Sequence, residues 1–325
     1  MTVHEHIEQF HGLPVFDVVD APAEAAAQGR AGAVRLPEAD AVAWRINLDY
    51  EAEETFTESW QRFLDAVDTE RVTAVVIGQW WSDDPESFRE PMEAVVAAAG
   101  RLPALRALFV GDITGEQFEI SWIQQCDITP LLTAFPRLAE LVVRGASGDW
   151  DGKEGLVLEP LRHEALKALR FEAGGLPGSV VRSVAGCDFP ALERLELWLG
   201  VENYGGDATM DDLAPFLDGT RLPALRHLGL QNSELQDDIA ADVAHAPVVA
   251  RLESLSLSMG VLTDQGATAL LEGQPLTHLR ALDLHHNFLS DAMHQRLREA
   301  LPGVELDLSE RNAPDARWRY VAVAE

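Results

Sequence analysis

An apolar motif, Leu-x-x-Leu-x-Leu, returns along the chain at nearly fixed intervals, and this limits the fold more than any other feature. It reads Leu138/Leu141/Val143, Leu166/Leu169/Phe171, Leu192/Leu195/Leu197, Leu225/Leu228/Leu230, Leu252/Leu255/Leu257 and Leu279/Leu282/Leu284. Leu105/Leu108/Val110 and Val72/Val75/Ile77 fit upstream, Ile46/Leu48 is a degenerate first copy, and Leu306/Leu308 is a terminal one. From Val72 the copies step by 33, 33, 28, 26, 33, 27 and 27 residues. A chain of 325 residues would otherwise suggest about two domains. A period of this size implies stacked units instead, none able to bury its own apolar face alone.

The second half of each unit repeats as well. Leu235, Leu262 and Leu289 are spaced by 27, Asp237, Asp264 and Asp291 follow two residues later, and Val243, Leu270 and Leu297 keep the register. Each aspartate stands where a helix should begin, able to accept from free amides and to favour the positive end of the dipole. Apolar residues at helical spacing follow, so each unit is predicted to run strand, loop, helix.

The stretch Leu279-Arg-Ala-Leu282-Asp-Leu284-His-His-Asn287-Phe-Leu289 resembles the leucine-rich-repeat consensus at every apolar position and at the asparagine. Ser290-Asp291 and Thr263-Asp264-Gln265-Gly266 resemble the ribonuclease-inhibitor-like subclass; Ser233 and Gly260 depart from it at the asparagine position. The resemblance implies an α/β solenoid of about ten repeats, a horseshoe with parallel strands on its concave face and helices on its convex face. The opening His6-Ile-Glu-Gln-Phe10-His-Gly-Leu13-Pro-Val-Phe16-Asp17 is similar to an uncharacterised bacterial family of these repeats, encoded beside radical-SAM, ATP-grasp and sulfatase-like genes. That likeness implies an adaptor for a neighbouring modifying enzyme or its substrate. The expected boundaries are an N-terminal cap at 1–40, with Ala25-Ala26-Ala27, Gly29 and Gly32 and a short strand near Val15–Val19, the solenoid at 41–309, and a tail at 310–325 packed on the last repeat.

Charge narrows the partners. Lysine and arginine number 25 against 54 acids, so 25 − 54 = −29. Such a field repels nucleic acid and anionic membranes and suits a cationic partner. Two cysteines, Cys126 and Cys187, make no disulfide framework. The N-terminus lacks a basic and an apolar signal region, and no run approaches 18 apolar residues, so a cytoplasmic protein is expected.

Alternation along each strand turns the residues flanking the second and third leucines out of the core. Successive rows are Arg45/Asn47/Asp49, Ala74/Val76/Gly78, Ala107/Phe109/Gly111, Glu140/Val142/Arg144 and Ala168/Arg170/Glu172. Arg194/Glu196/Trp198, His227/Gly229/Gln231, Ser254/Ser256/Ser258, Ala281/Asp283/His285 and Glu305/Asp307/Ser309 complete the lattice. Phe109, Arg144, Arg170, Arg194, Trp198 and His227 are the expected partner-binding residues, because aromatics and arginines dominate binding hot spots. Loop tryptophans Trp80, Trp81, Trp122 and Trp150 would form a rim. The expected function is a non-enzymatic scaffold that binds a protein partner; the alternative is a carbohydrate or small-ligand module using the rim tryptophans.

Signals for chemistry are weak. No metal or cofactor is expected: His4, His6 and His11 lack accompanying ligands, and His285 and His286, with His278 and His294, read as surface histidines. Asp149-Trp-Asp151-Gly-Lys153-Glu154 misses a calcium loop's closing glutamate, and Gly174-Gly175-Leu-Pro-Gly178-Ser179 lacks the phosphate-loop lysine. Asp127 and Asp188 would raise the neighbouring thiols. A hydrolase using acid pairs in the long loops at 111–127 and 200–213 is a third reading.

Overall fold

The computed structural model describes residues 4–18, 36–50, 52–148 and 154–325. Ala25–Ala27, Gly29 and Gly32 of the expected cap, and Trp150 with most of the 149–154 loop, lie outside the described residues. The chain divides into two compact units, residues 1–159 with 163–166, and residues 160–162 with 167–325. Among the described residues no helix is long and apolar enough to cross a membrane.

The first unit holds β1 (Gln9–Phe10), β2 (Leu13–Asp17), β3 (Ala43–Ile46), α1 (Phe56–Ala66), β4 (Ala74–Ile77), α2 (Arg89–Ala97), β5 (Ala107–Val110), α3 (Thr129–Ala134) and β6 (Glu140–Arg144). β2 to β6 pair in sequence order and in parallel, while β1 folds back antiparallel on β2. In register, Ala74 faces Ala107 and Glu140, and Val76 faces Phe109 and Val142. The opposite side of each strand packs on helices. Trp44 of β3 meets Phe63 of α1 at 5.9 Å, and α1 starts in a Thr55–Glu58 capping box that satisfies its first amides.

The second unit holds β7 (Ala168–Glu172), α4 (Gly178–Gly186), β8 (Arg194–Gly200), α5 (Met210–Leu217), β9 (His227–Ser233), α6 (Gln236–Val243), β10 (Ser254–Ser256), α7 (Asp264–Glu272), β11 (Ala281–Asp283), α8 (Asp291–Ala300) and β12 (Glu305–Asp307). Its strands are parallel and ordered as in sequence. Leu195/Leu197, Leu228/Leu230, Leu255/Leu257 and Leu282/Leu284 form the buried face, with Ile239 and Val243 of α6 and Leu270 of α7 behind them. Each unit is thus an α/β segment of parallel strands backed by helices, built from repeated strand–loop–helix units.

The periodic aspartates do more than open their own helices. Asp237 accepts from the Thr263 amide (2.7 Å), the Thr263 hydroxyl (2.5 Å) and the Gly266 amide (3.1 Å), all in the next repeat. Asp264 accepts from the Ser290 amide (2.8 Å) and hydroxyl (2.6 Å) in the repeat after that. The helix caps themselves are Thr263 and Ser290, whose hydroxyls accept from Gln265 and Met293. The missing asparagine is also replaced. Asn287 donates to the Leu284 carbonyl (2.8 Å); two repeats back, where Ser233 stands at the asparagine position, Gln236 donates to the equivalent Leu230 carbonyl (2.9 Å). Gly260 leaves the room that Gln236 fills, since a Cβ there would sit 2.2 Å from Gln236 Oε1.

The tail reaches past the last repeat. Its Tyr320 carbonyl lies 3.0 Å from His286 Nε2, the Ala322 amide donates to the Met259 carbonyl (2.7 Å), and the Val323 amide donates to Asn232 Oδ1 (2.9 Å). Asn232, Met259 and His286 share one register position, 27 residues apart, and all three have positive φ, at 56°, 68° and 51°. The side-chain amide of Asn232 also donates to the Val323 carbonyl, so it pairs with the tail as a strand would. His286, under the tail, and His294, whose Nε2 lies 3.2 Å from Asn287 Oδ1, are both buried, not surface residues as expected.

Candidate functional site

The two units present different inner faces. On the first, Ala43, Ala74 and Ala107 lie beside Val76, Phe109 and Val142, an apolar surface with little relief. Residues 6–13 cover it. Phe10 packs on Phe109 with ring centroids 5.8 Å apart, and Ile7, Leu13 and Val15 border the same cluster. Beside this cluster Asp112, with no exposed surface, gathers two guanidiniums and an imidazole. Arg45 Nε stands 3.0 Å away, His6 Nδ1 3.3 Å and Arg144 Nη1 3.7 Å. Arg45 also bonds Asp17 and donates to the Ile7 carbonyl.

Phe109 and Arg144 lie on the inner face, as the alternation requires, but they do not stand open there. The Arg144 guanidinium lies 5.1 Å from the Phe109 ring centroid and donates to the Ile113 carbonyl (2.9 Å), with both side chains buried. The expected rim pair is also enclosed. Trp80 and Trp81 meet edge to face at 5.0 Å, with Phe88 beyond Trp80 and Phe118 beyond Trp81, and Trp80 Nε1 donates to the Glu86 carbonyl. They line a cleft of about 200 Å³ whose other walls include Glu53, Glu54, Glu86 and Glu90.

The second inner face is polar and linked throughout. Glu196 is its centre. Oε1 lies 2.7 Å from Arg194 Nη2 and 3.0 Å from His227 Nε2, and Oε2 lies 3.4 Å from Arg170 Nε. Gly229, opposite Glu196 in register, makes the space, since a Cβ there would come 3.0 Å from Glu196 Cγ. Burial works against the Glu196 charge, but the His227 hydrogen bond and the two guanidiniums prevail and hold its pKa at about 2. The network continues from His227 Nδ1 to Ser254 Oγ (2.6 Å). Gln231 donates to Ser256 and Ser258, and Ser256 donates to Asp283 (2.8 Å). Gln231 Oε1 is buried without a partner. Of the expected anchors here, Arg194 is half exposed and Arg170 a fifth exposed, while His227 and Trp198 are buried.

Ser254, His227 and Glu196 stand in the order of a hydrolytic triad. The chemistry does not follow from the order. Glu196 is already neutralised by two guanidiniums, and the Ser254 amide donates to the Arg226 carbonyl (3.1 Å), so it offers no oxyanion donor. Asp283, His285 and Asp307 bring three ligand atoms within 4.8 Å of one another, a set that could hold a divalent cation in kind. His285 and Asp283 already satisfy each other at 2.8 Å, and despite their burial this pairing raises the His285 pKa and lowers that of Asp283. The thiol pKa values are raised for a reason other than the expected one. Burial pushes Cys126 up to about 12 and raises Cys187, with Asp127 a smaller influence on Cys126. In the 200–213 loop a cleft of about 260 Å³ is lined by Glu202, Asp207 and Glu234. Asp207 there accepts from the Gly178 amide (2.6 Å).

Sequence reasoning missed Asp112 and the role of residues 6–13, since an acid in a loop and a short leading segment carry no local signature of what they meet; it placed Gln231 on the inner face without singling it out.

No protein-family model matches the chain, and no curated protein does. Among solved structures, a Bacteroides fragilis protein determined by structural genomics is 29% identical, with a TM-score of 0.75 over 93% of this chain and 83% of that one. An internalin from Listeria monocytogenes is 13% identical over 91% of this chain and 90% of its own, but its TM-score of 0.35 is too low to establish a shared fold.

Proposed function

We propose that this chain is a non-enzymatic cytoplasmic scaffold of the ribonuclease-inhibitor-like leucine-rich-repeat subclass, and that it binds a protein partner on the inner face of its second unit. The observation that carries this reading is the linked row from Arg170 through Glu196, His227 and Ser254, with the half-exposed Arg194 at its edge. Side chains already locked by one another lose little entropy on contact, so their donors and acceptors meet a partner at low cost.

The acidic surplus supports a basic partner, a modifying enzyme encoded nearby or its substrate, with encounter rates that fall as salt rises. The glutamate-lined cleft beside Trp80 fits the same charge preference. The carbohydrate reading draws less support, because Trp80 and Trp81 are buried against each other and against Phe88 and Phe118.

Affinity capture from the native host with mass spectrometry tests the reading. Arg194→Ala, captured well below a thermal midpoint that falls because Glu196 loses one of its counter-charges, should weaken capture of the main partner by about tenfold or more. Capture that does not respond to Arg194 or to salt would remove the second inner face from the interaction.

A further inference from the structure

An apolar sheet face cannot be left in water, and the first unit solves this with a ligand of its own. β1 and β2 form a hairpin whose turn, His11–Gly12, has positive φ at both residues (52° and 74°), the geometry of the tight turns that suit hairpins. The hairpin touches the face through few anchors. Phe10 alone is deeply buried; His4, Glu5, Glu8, Gln9, His11 and Gly12 are exposed. Ile7 is held by both of its backbone groups, its N–H by Asp112 Oδ1 (3.3 Å) and its carbonyl by Arg45. Two imidazoles flank these anchors, His6 at Asp112 and His11 at Glu140 (2.8 Å). Backbone capture at one residue, an aromatic seat three residues later and acids for neighbouring bases together make a peptide-recognition site.

We propose that the inner face of the first unit is a peptide-binding groove occupied in cis by residues 6–13, and that it accepts in trans a protein segment of the same chemistry: a base, an aliphatic residue, two free positions, an aromatic and a second base. This does not rest on the second-unit reading, because it uses neither its residues nor its partner. A tethered occupant competes at millimolar effective concentration, so a free segment enters only when the tether's grip is weakened.

The test uses the full chain carrying Phe10→Ala, which empties the aromatic seat, and a fluorescein-labelled synthetic peptide of residues 4–13 followed by anisotropy. The variant should bind the peptide at least about tenfold more tightly than the wild type, and a peptide carrying the same Phe10→Ala change should bind at least about tenfold more weakly. A second variant, Ile7→Pro, removes the N–H that Asp112 accepts and leaves Phe10 in place; it should also gain peptide binding. Equal binding to wild type and variants, no binding to folded variants, or indifference to the peptide's phenylalanine would overturn the proposal. So would variants that dimerise with no competition from peptide, which would assign the groove to a second copy. Unfolding of both variants would make residues 6–13 core rather than ligand, and would overturn it too.

Discussion

Replacing Asp112 with asparagine is expected to destabilise the first unit by about 3–5 kcal/mol, the cost of stranding buried charges. The carboxylate is fully enclosed and is the shared counter-charge of Arg45 and Arg144, both nearly as buried. Asparagine keeps the size and removes only the charge, so the loss is not a cavity effect. With urea slopes of about 1–3 kcal/mol per molar, the midpoint of the first unit should fall by more than about 1 M. Glu193→Gln, which breaks the exposed pair with Lys167, should cost under about 1 kcal/mol. Equal small effects from both changes would mean that Asp112 is not the charge that holds this face together.

The second large effect is on acid stability. The folded Glu196 carboxyl titrates at about 2, against 4.5 for the free group. Its folded value lies below its unfolded one, so the stabilisation is complete above about pH 4.5 and drains away as pH falls toward 2. A depression of 4.5 − 2 = 2.5 corresponds to about 3 kcal/mol. Other carboxylates titrate in the same range, so the readout is a difference between proteins. Urea unfolding followed from pH 6 to pH 2.5 should show the wild type losing more stability than Glu196→Gln, by up to this amount. Parallel losses would show that the Arg170–Arg194–His227 cluster does not hold Glu196 ionised.

Much of the fold is legible in the repeat itself. The rows Arg194/Glu196/Trp198 and His227/Gly229/Gln231 are in register in the sheet, because a period-2 strand between fixed leucines leaves no other choice of face. Exposure is not legible in the same way. Phe109 and Arg144 lie on the correct side, but what covers Phe109 comes from far away in the chain, through Phe10 and its neighbours. A signal does exist. The rows Ala74/Val76 and Ala107/Phe109 are apolar where Ser254/Ser256 and Asp283/His285 are polar, and an apolar inner face calls for a cover. The tail is a similar case, with Val323 reaching Asn232 across 91 positions. The aspartate ladder is half visible: its period places Asp237 and Asp264, but only the stacking of repeats shows their oxygens turned to the next unit's cap.

The inner face of the first unit is closed by residues 6–13 of the same chain. A benzoylphenylalanine in place of Phe10, irradiated in dilute full-length protein and followed by peptide mass spectrometry, tests it most directly. Crosslinks should land on the same molecule, on peptides carrying Ala74, Val76, Ala107, Phe109 or Val142. Crosslinks confined to other segments or to a second molecule, or none at all, would contradict it.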